Sequence, residues 1–546
     1  MRRCTVLISV GEPRPWRVLP YSEARPDTSS AESFHTATKW IYKCTAEHAR
    51  CKIPGDTPLP TRVIDVGGLH SPSVLLYETQ NEHAEYLALS HCWGGVQPLT
   101  TTTSTLSQRK KGIQIESLPK TFRDAVIFVR RLKKRYLWID SLCIIQDDLE
   151  DWRREAAKMA EIYQGSWLTI AALKASNDLE GCFSVSTTLL NPVVGGQQFR
   201  VYAQRGKSHL AGAKGSSSDI FPLTRRAWIY QERLLSPRVL HFGHNELLWE
   251  CQEASTCECP ASEMDFLSAF SGQENNVESL KISHSSTLTP KATIEELQFR
   301  WYHIVQEYSA LKLSRSSDKL PAVQGVAKHL NSFRKDLCLA GTWRNTLLDD
   351  LMWYVHGRGK RHEERAPSWS WSSVDGTILF ARDISGNTEA QCDVSVAEYP
   401  DWSPDKHTNW FSAFTANKLS LVVSGHIIPC REVSYAEQGF GPESWYRPNY
   451  AIQIGDFERR VPFNPDTGYV GDREQGFTIP PTPDIYCLML AVEALKDSLK
   501  HHFMVIRVMD KEKRIYKRVG LGTLLWIKTP ERGHFYGIGR TTITIV

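Results

Sequence analysis

The sequence predicts an α/β fold built on a mostly parallel sheet, followed by a mixed α+β region that ends in strands. Three observations predict it. Between Tyr86 and Leu173, apolar runs at 86–91, 136–140 and 167–173 alternate with amphipathic stretches at 120–134 and 151–163. The joints from 136 to 173 are short and the order reads β-α-β-α-β, so the helices can cross back over the sheet between strands. From Leu419 onward, runs such as LSLVVSGHII, YCLMLAV and FMVIRVMD carry strand-type composition with a hairpin loop at MDKEKR.

Taken in order, residues 1–85 form an N-terminal region. Residues 1–30 are punctuated by Pro and Ser and read as loosely ordered. A helix follows in which Phe34, Ala37, Ile41, Cys44, His48 and Cys51 step by three and four along one face. The runs PLPTRVIDVGG and PSVLLYET then read as a hairpin or an edge addition to the main sheet. Residues 86–251 hold the α/β domain. Its first helix carries Phe122, Ala125, Val126, Val129 and Leu132 as a stripe, and its second carries Trp152, Ala156, Met159, Ala160 and Tyr163. A Gly-, Ser-, Gln- and Asn-rich excursion at 174–221 reads as a surface insertion. Order returns with a helix from Trp228 to Leu234 and two strands, 238–242 and 246–251, joined by a tight turn at Gly243-His244-Asn245. Residues 252–290 read as a linker. Residues 291–546 read as helices first, with Pro321 in the first turn of one of them, and a β-rich end. The Trp-dense stretches around 343–354 and 369–371 read as core packing rather than a stacking platform for bases.

Composition narrows the function. The chain has 546 residues, 41% of them apolar, and a formal charge of +4, which gives no basic excess of the kind nucleic-acid binding needs. Its densest basic run, RRLKKR at 130–135, ends a helix, where cations complement the dipole and face water. Thirteen cysteines scattered without regular spacing predict reduced thiols in a cytoplasmic protein rather than a disulfide framework. No apolar stretch reaches the ~18 residues of a membrane span.

The chemistry-bearing residues cluster at strand ends. Ser90 and Trp93 belong to the segment SHCWGG that closes the strand at 86–91. His91 and Cys92 are adjacent, so a strand sends them to opposite faces and they do not form a dyad. Gly94–Gly95 either lets another backbone approach or turns the chain. Asp140 ends the next strand, at the edge where α/β sheets bind ligands; equally, it holds a neighbouring loop through backbone N–H groups, while Asp148 or Asp151 caps the following helix. Trp228 and Glu232 stand one helical turn apart. Glu232 is the candidate catalytic carboxylate, or else a salt-bridge partner of Arg225, Arg226 or Arg233. Cys44, His48 and Cys51 share a helical face, but no fourth ligand lies near them in sequence and Cys257-x-Cys259 has no second pair, so no metal is expected.

Four blocks, LALSHCWGG, LPKTFRDAV, YLWIDSLCIIQDDLEDWRREAAKMAEIYQGS and PLTRRAWIYQERLLSPRVLHFG, together resemble the heterokaryon-incompatibility (HET) domain of filamentous fungi, densely from Tyr86 to Cys251. The resemblance implies a role in non-self recognition and programmed cell death, exercised through protein partners or self-assembly. The HET domain is similar in fold to the Toll/interleukin-receptor (TIR) domain. In NAD-cleaving TIR members a Trp-Cys-x-x-Glu segment supplies a glutamate, and Trp228-x-x-x-Glu232 matches its Trp and Glu with Ile229 in place of the Cys. This implies an alternative function: an assembly-activated NAD or nucleotide glycohydrolase using Glu232, with Ser90, Trp93, Asp140 and Trp228 lining the substrate. NAD would be a substrate, and no cofactor is expected.

Overall fold

A computed structural model describes residues 4–7, 27–52, 57–95, 99–185, 187–190, 193–194, 197–198, 201–205, 221–258, 279–381, 388–397, 419–435, 450–454, 460–467, 484–496, 498–527 and 538–546. The chain divides into two compact units, 1–289 and 290–546.

The first unit is organised by a nine-stranded sheet. Its strands are β1 (Arg62–Asp65), β2 (Ser73–Glu78), β3 (Tyr86–Ser90), β4 (Ile113–Gln114), β5 (Tyr136–Trp138), β6 (Leu168–Ala171), β7 (Arg238–Phe242), β8 (Leu247–Cys251) and β9 (Ser255–Cys257). They lie in the order β9-β8-β7-β6-β3-β5-β1-β2-β4. Pairing is parallel only across the centre, β7 to β6 to β3 to β5. Both flanks are antiparallel. The sheet is therefore mixed, not mostly parallel. The reason lies in the connections: the central strands are joined through crossover helices, whereas β1–β2, β7–β8 and β8–β9 are hairpins.

Burial explains the sequence pattern. Every residue of β3 is buried, as expected for a central strand covered on both faces. The helix α1 (Ala31–Glu47) buries Ala37, Ile41 and Cys44, and Ser30 caps it by accepting from Ser33 N. The helix α2 (Lys120–Arg131) starts after Pro119 and buries Phe122, Ala125, Val126 and Val129. The helix α3 (Leu149–Gly165) is capped by Asp148, which accepts from Glu150 N at 2.9 Å and Asp151 N at 3.1 Å. The helix α4 (Ala227–Leu235) packs against α3 and leads into β7. The turn between β7 and β8 is closed by Gly243 N donating to Glu246 O.

Several stretches carry more structure than the sequence suggested. Cys4–Leu7 pairs with Val201–Arg205, which also pairs with Thr187–Leu190, so part of the excursion and part of the N-terminal region form a small sheet. Residues 8–26, 206–220 and 259–278 lie outside the described residues. Within the expected linker, β9 extends the main sheet and a helix at Leu280–Thr287 packs on α4. In the basic run, Arg130 and Arg131 donate to the carbonyls of Val66 and Ser29, Arg135 pairs with Asp65 at 2.7 Å, and Lys134 pairs with Glu85 over the Trp167 ring. Among the described residues ten cysteines are free and buried, whereas Cys257 is held in a disulfide, which departs from the expected reduced thiols.

The second unit begins with helices Ile294–Ser309, opened by a Thr293–Glu296 capping box, and Pro321–Arg334. Trp301, Trp343, Trp353, Trp369 and Trp371 are all fully buried, which makes the Trp-dense stretches core. Six antiparallel strands then close on themselves: Ser420–Tyr435, Ile485–Ala494, Ser498–Asp510, Ile515–Ile527, Arg460–Pro465 and Tyr450–Ile454, which returns to Ser420–Tyr435. The third and fourth of these form the hairpin around MDKEKR. Arg518 is buried here, 3.0 Å from Asp466 and stacked 3.6 Å over Trp353.

Candidate functional site

The parallel strands β3, β5 and β6 end at the same edge, and the residues that follow them converge there. Ser90 closes β3 and His91 follows it; Asp140 comes two residues after β5; Asp178 follows β6 in the loop that begins the excursion. Glu232 reaches the same place from α4, and Tyr163 from α3.

Asp140 forms the wet mouth of the cluster. Its side chain keeps 21% exposure, and it accepts from Trp93 Nε1 at 2.9 Å and Ser141 N at 2.7 Å. Behind it, His91 Nε2 lies 3.8 Å from Asp140 and 3.3 Å from Asp178. The ring of His91 packs edge-on against Phe122 at 5.1 Å. Arg226 holds the strand end by donating to His91 O at 2.6 Å. Gly94 turns the chain at φ +72°, where a Cβ would stand 2.5 Å from Asn177 Cβ, so glycine here allows the two strand-end loops to meet. Cys92 points away from His91 into a separate apolar cluster with Leu173, Phe221 and Leu248, and burial pushes its thiol up to about 11.

Glu232 is buried, at 5% exposure. Burial raises its carboxyl to about 7, with the negative charge of Asp140 adding to the effect; the hydroxyls of Ser90 and Tyr163 and the Arg226 charge pull the other way. Burial likewise raises Asp178 to about 7 and lowers His91 to about 4, so the imidazole is neutral at neutral pH. Five buried polar atoms in this cluster have no hydrogen-bond partner among the described residues: His91 Nε2, Ser141 Oγ, both Asp178 oxygens and Glu232 Oε2. Buried polar groups are ordinarily satisfied, so this concentration singles out the cluster among the buried polar groups of the first unit.

Ser90, Trp93, Asp140 and Glu232 are thus gathered at one strand-end cluster. Trp228 is half-buried against the apolar core of the sheet. Two of the salt-bridge partners that the sequence offered Glu232 are engaged elsewhere: Arg233 pairs with Glu250 at 2.7 Å, and Arg226 donates to the carbonyl of His91. His91, Asp178, Tyr163 and Arg226 were not among the site residues expected from the sequence. A polar residue just past the end of a buried parallel strand was the available signal, and it applied to His91 and Asp178 as much as to Asp140.

This polar cluster lies at the carboxyl edge of the parallel strands at the centre of a mixed sheet, the edge where open α/β sheets bind ligands. Residues 86–232 match the family described as heterokaryon incompatibility protein (HET). The chain therefore carries a HET domain, whose matched span runs from the first residue of β3 to Glu232 itself. Comparison with curated proteins gives no match, and comparison with solved structures gives none. No helix among the described residues is long and apolar enough to cross a membrane.

Proposed function

We propose that this is a cytosolic protein of fungal non-self recognition that signals cell death through assembly of a TIR-like HET domain. We further propose that its strand-end cluster cleaves the N-glycosidic bond of NAD or a related nucleotide. The observation that carries the enzymatic part is Glu232: a buried carboxyl with an unpartnered Oε2, no ion pair among the described residues, and Ser90, Tyr163 and Asp140 around it.

The chemistry suits one ionised carboxylate. In NAD the nicotinamide nitrogen is already cationic, so it leaves as a neutral base with the bonding electron pair and needs no acid. Positive charge develops on the ribose, and an anionic Glu232 stabilises that oxocarbenium-like state. Water then forms the new C–O bond at the ribose carbon, and its proton passes to solvent or to a carboxylate. Burial makes the carboxylate more effective, because its field is less screened inside the protein.

The second reading keeps assembly and drops the chemistry; the depth of Glu232, at 5% exposure, favours it. Forced oligomerisation of the chain in a host cell, with NAD measured over time, separates the two. NAD loss with wild type, abolished by Glu232→Gln at equal protein abundance, supports cleavage. Unchanged NAD in cells that die from the assembled wild-type chain leaves assembly alone.

A further inference from the structure

The four side chains that meet at the C-terminal end of α1 form a second centre, on the other side of the unit's chemistry. Cys44 lies in the last turn of α1, His48 is its C-cap, Cys51 follows in the next turn, and Cys251 ends β8. Their ligand atoms all lie within 4.8 Å of one another, with Cys251 Sγ 3.3 Å from His48 Nδ1. Two sulfurs bound to one tetrahedral zinc stand roughly 3.8 Å apart, given Zn–S bonds of ~2.3 Å, so the cluster needs only small movements to close around an ion. Cys44, Cys51 and Cys251 are fully buried. The spacing Cys-x3-His-x2-Cys supplies three ligands from one short stretch, and the sheet supplies the fourth from 200 residues away.

Arg238 provides an independent observation. It sits opposite Cys251 in the β7–β8 ladder and is 3% exposed. Its guanidinium donates to Cys44 Sγ at 3.3 Å, Cys51 O at 2.6 Å and Trp167 O at 2.9 Å, and no carboxylate among the described residues pairs with it. A buried cation without an anion is costly. Three thiolates and one imidazole around a divalent ion carry a net charge of −1, which this guanidinium neutralises. Ala254 N also donates to Cys251 Sγ at 3.2 Å, so two thiols already receive the N–H bonds that orient and charge-balance thiolate ligands.

We propose that Cys44, His48, Cys51 and Cys251 bind one structural zinc ion that fastens α1 to the end of β8. The three sulfurs and one nitrogen favour zinc over hard cations, and four protein ligands leave no open position for catalysis.

Full-length chain expressed with zinc present should carry about one equivalent by elemental analysis. Cobalt(II) exchanged into the site should show d–d bands of a tetrahedral thiolate complex. His48 is only half-buried, so His48→Ala tests the site with little effect on packing: the metal should be lost, and His48→Cys should restore it. Cys143→Ser, at a buried thiol outside the cluster, should keep the metal. Folded wild-type chain containing less than a tenth of an equivalent of zinc, or zinc retained in His48→Ala, overturns the proposal.

Discussion

Trp93 donates its indole N–H to Asp140 over 2.9 Å, and this one bond ties the turn after β3 to the turn after β5. It holds the mouth of the strand-end cluster in place while leaving the Asp140 carboxylate partly wet. Trp93→Phe keeps an aromatic ring and removes the donor. A hydrogen bond to a charged acceptor contributes ~1.5–3 kcal/mol, and water at this half-open position replaces part of it. The expected loss is therefore about 1 kcal/mol by urea unfolding, with a larger proportional loss in any nucleotide cleavage. No change in either would remove Trp93 from the site.

Glu232 makes stability depend on pH in a defined direction. Its carboxyl is raised from 4.5 to about 7, so folding is favoured while it is protonated, below the unfolded value, and that contribution is lost as pH rises through about 7. The shift corresponds to up to about 3 kcal/mol. Glu232→Gln should therefore be more stable than wild type at pH 8 and close to it at pH 4. Asp178 titrates with the same sign, so adding Asp178→Asn should flatten the curve further. A Glu232→Gln chain less stable than wild type at pH 8 would show that the carboxylate is anchored by a favourable contact.

Gly94→Ala should be damaging despite its size. The residue sits at φ +72°, and the new methyl would stand 2.5 Å from Asn177 Cβ. We expect a loss of ~1–3 kcal/mol, with the loop bearing Asp178 displaced. Gly95→Ala is the control, since nothing lies within 4 Å of its Cβ position. Equal effects of the two substitutions would contradict the close approach.

In the second unit, Arg518 donates to the carbonyls of Leu351 and Trp353 while pairing with Asp466, all in a buried setting. Arg518→Met strips three acceptors of a shared donor. The expected cost is about 3–5 kcal/mol in denaturant unfolding, because the remaining groups stay buried. A cost under ~1 kcal/mol would mean that Arg361, 2.7 Å from Asp466, takes over the role.

The centre of the first unit was readable because β3, β5 and β6 are buried on both faces, which leaves continuous apolar runs, and α2 and α3 are half-buried, which leaves stripes. The flanks were harder. β4 has two residues and β9 three, too few for any periodicity to show, and β9 lies in a polar stretch that reads as linker. Parallel or antiparallel pairing at those flanks depends on contacts distant in sequence. The strand-end position of Asp140 was legible, since it is local. The approach of Glu232 to Ser90 crosses more than a hundred residues, and only the family resemblance suggested it. Cys251 shows the limit most plainly: it completes a four-ligand cluster with Cys44, His48 and Cys51, yet nothing in the spacing of those three predicts where a fourth would come from.

The shortness of β4 and β9 also decides how such a domain can multiply. A long exposed edge recruits the next chain by backbone pairing, and the product grows without limit. Here the strands at the two ends of the sheet have two and three residues, so each offers few backbone groups to another strand. Open-ended growth by strand addition at these two end strands is therefore disfavoured.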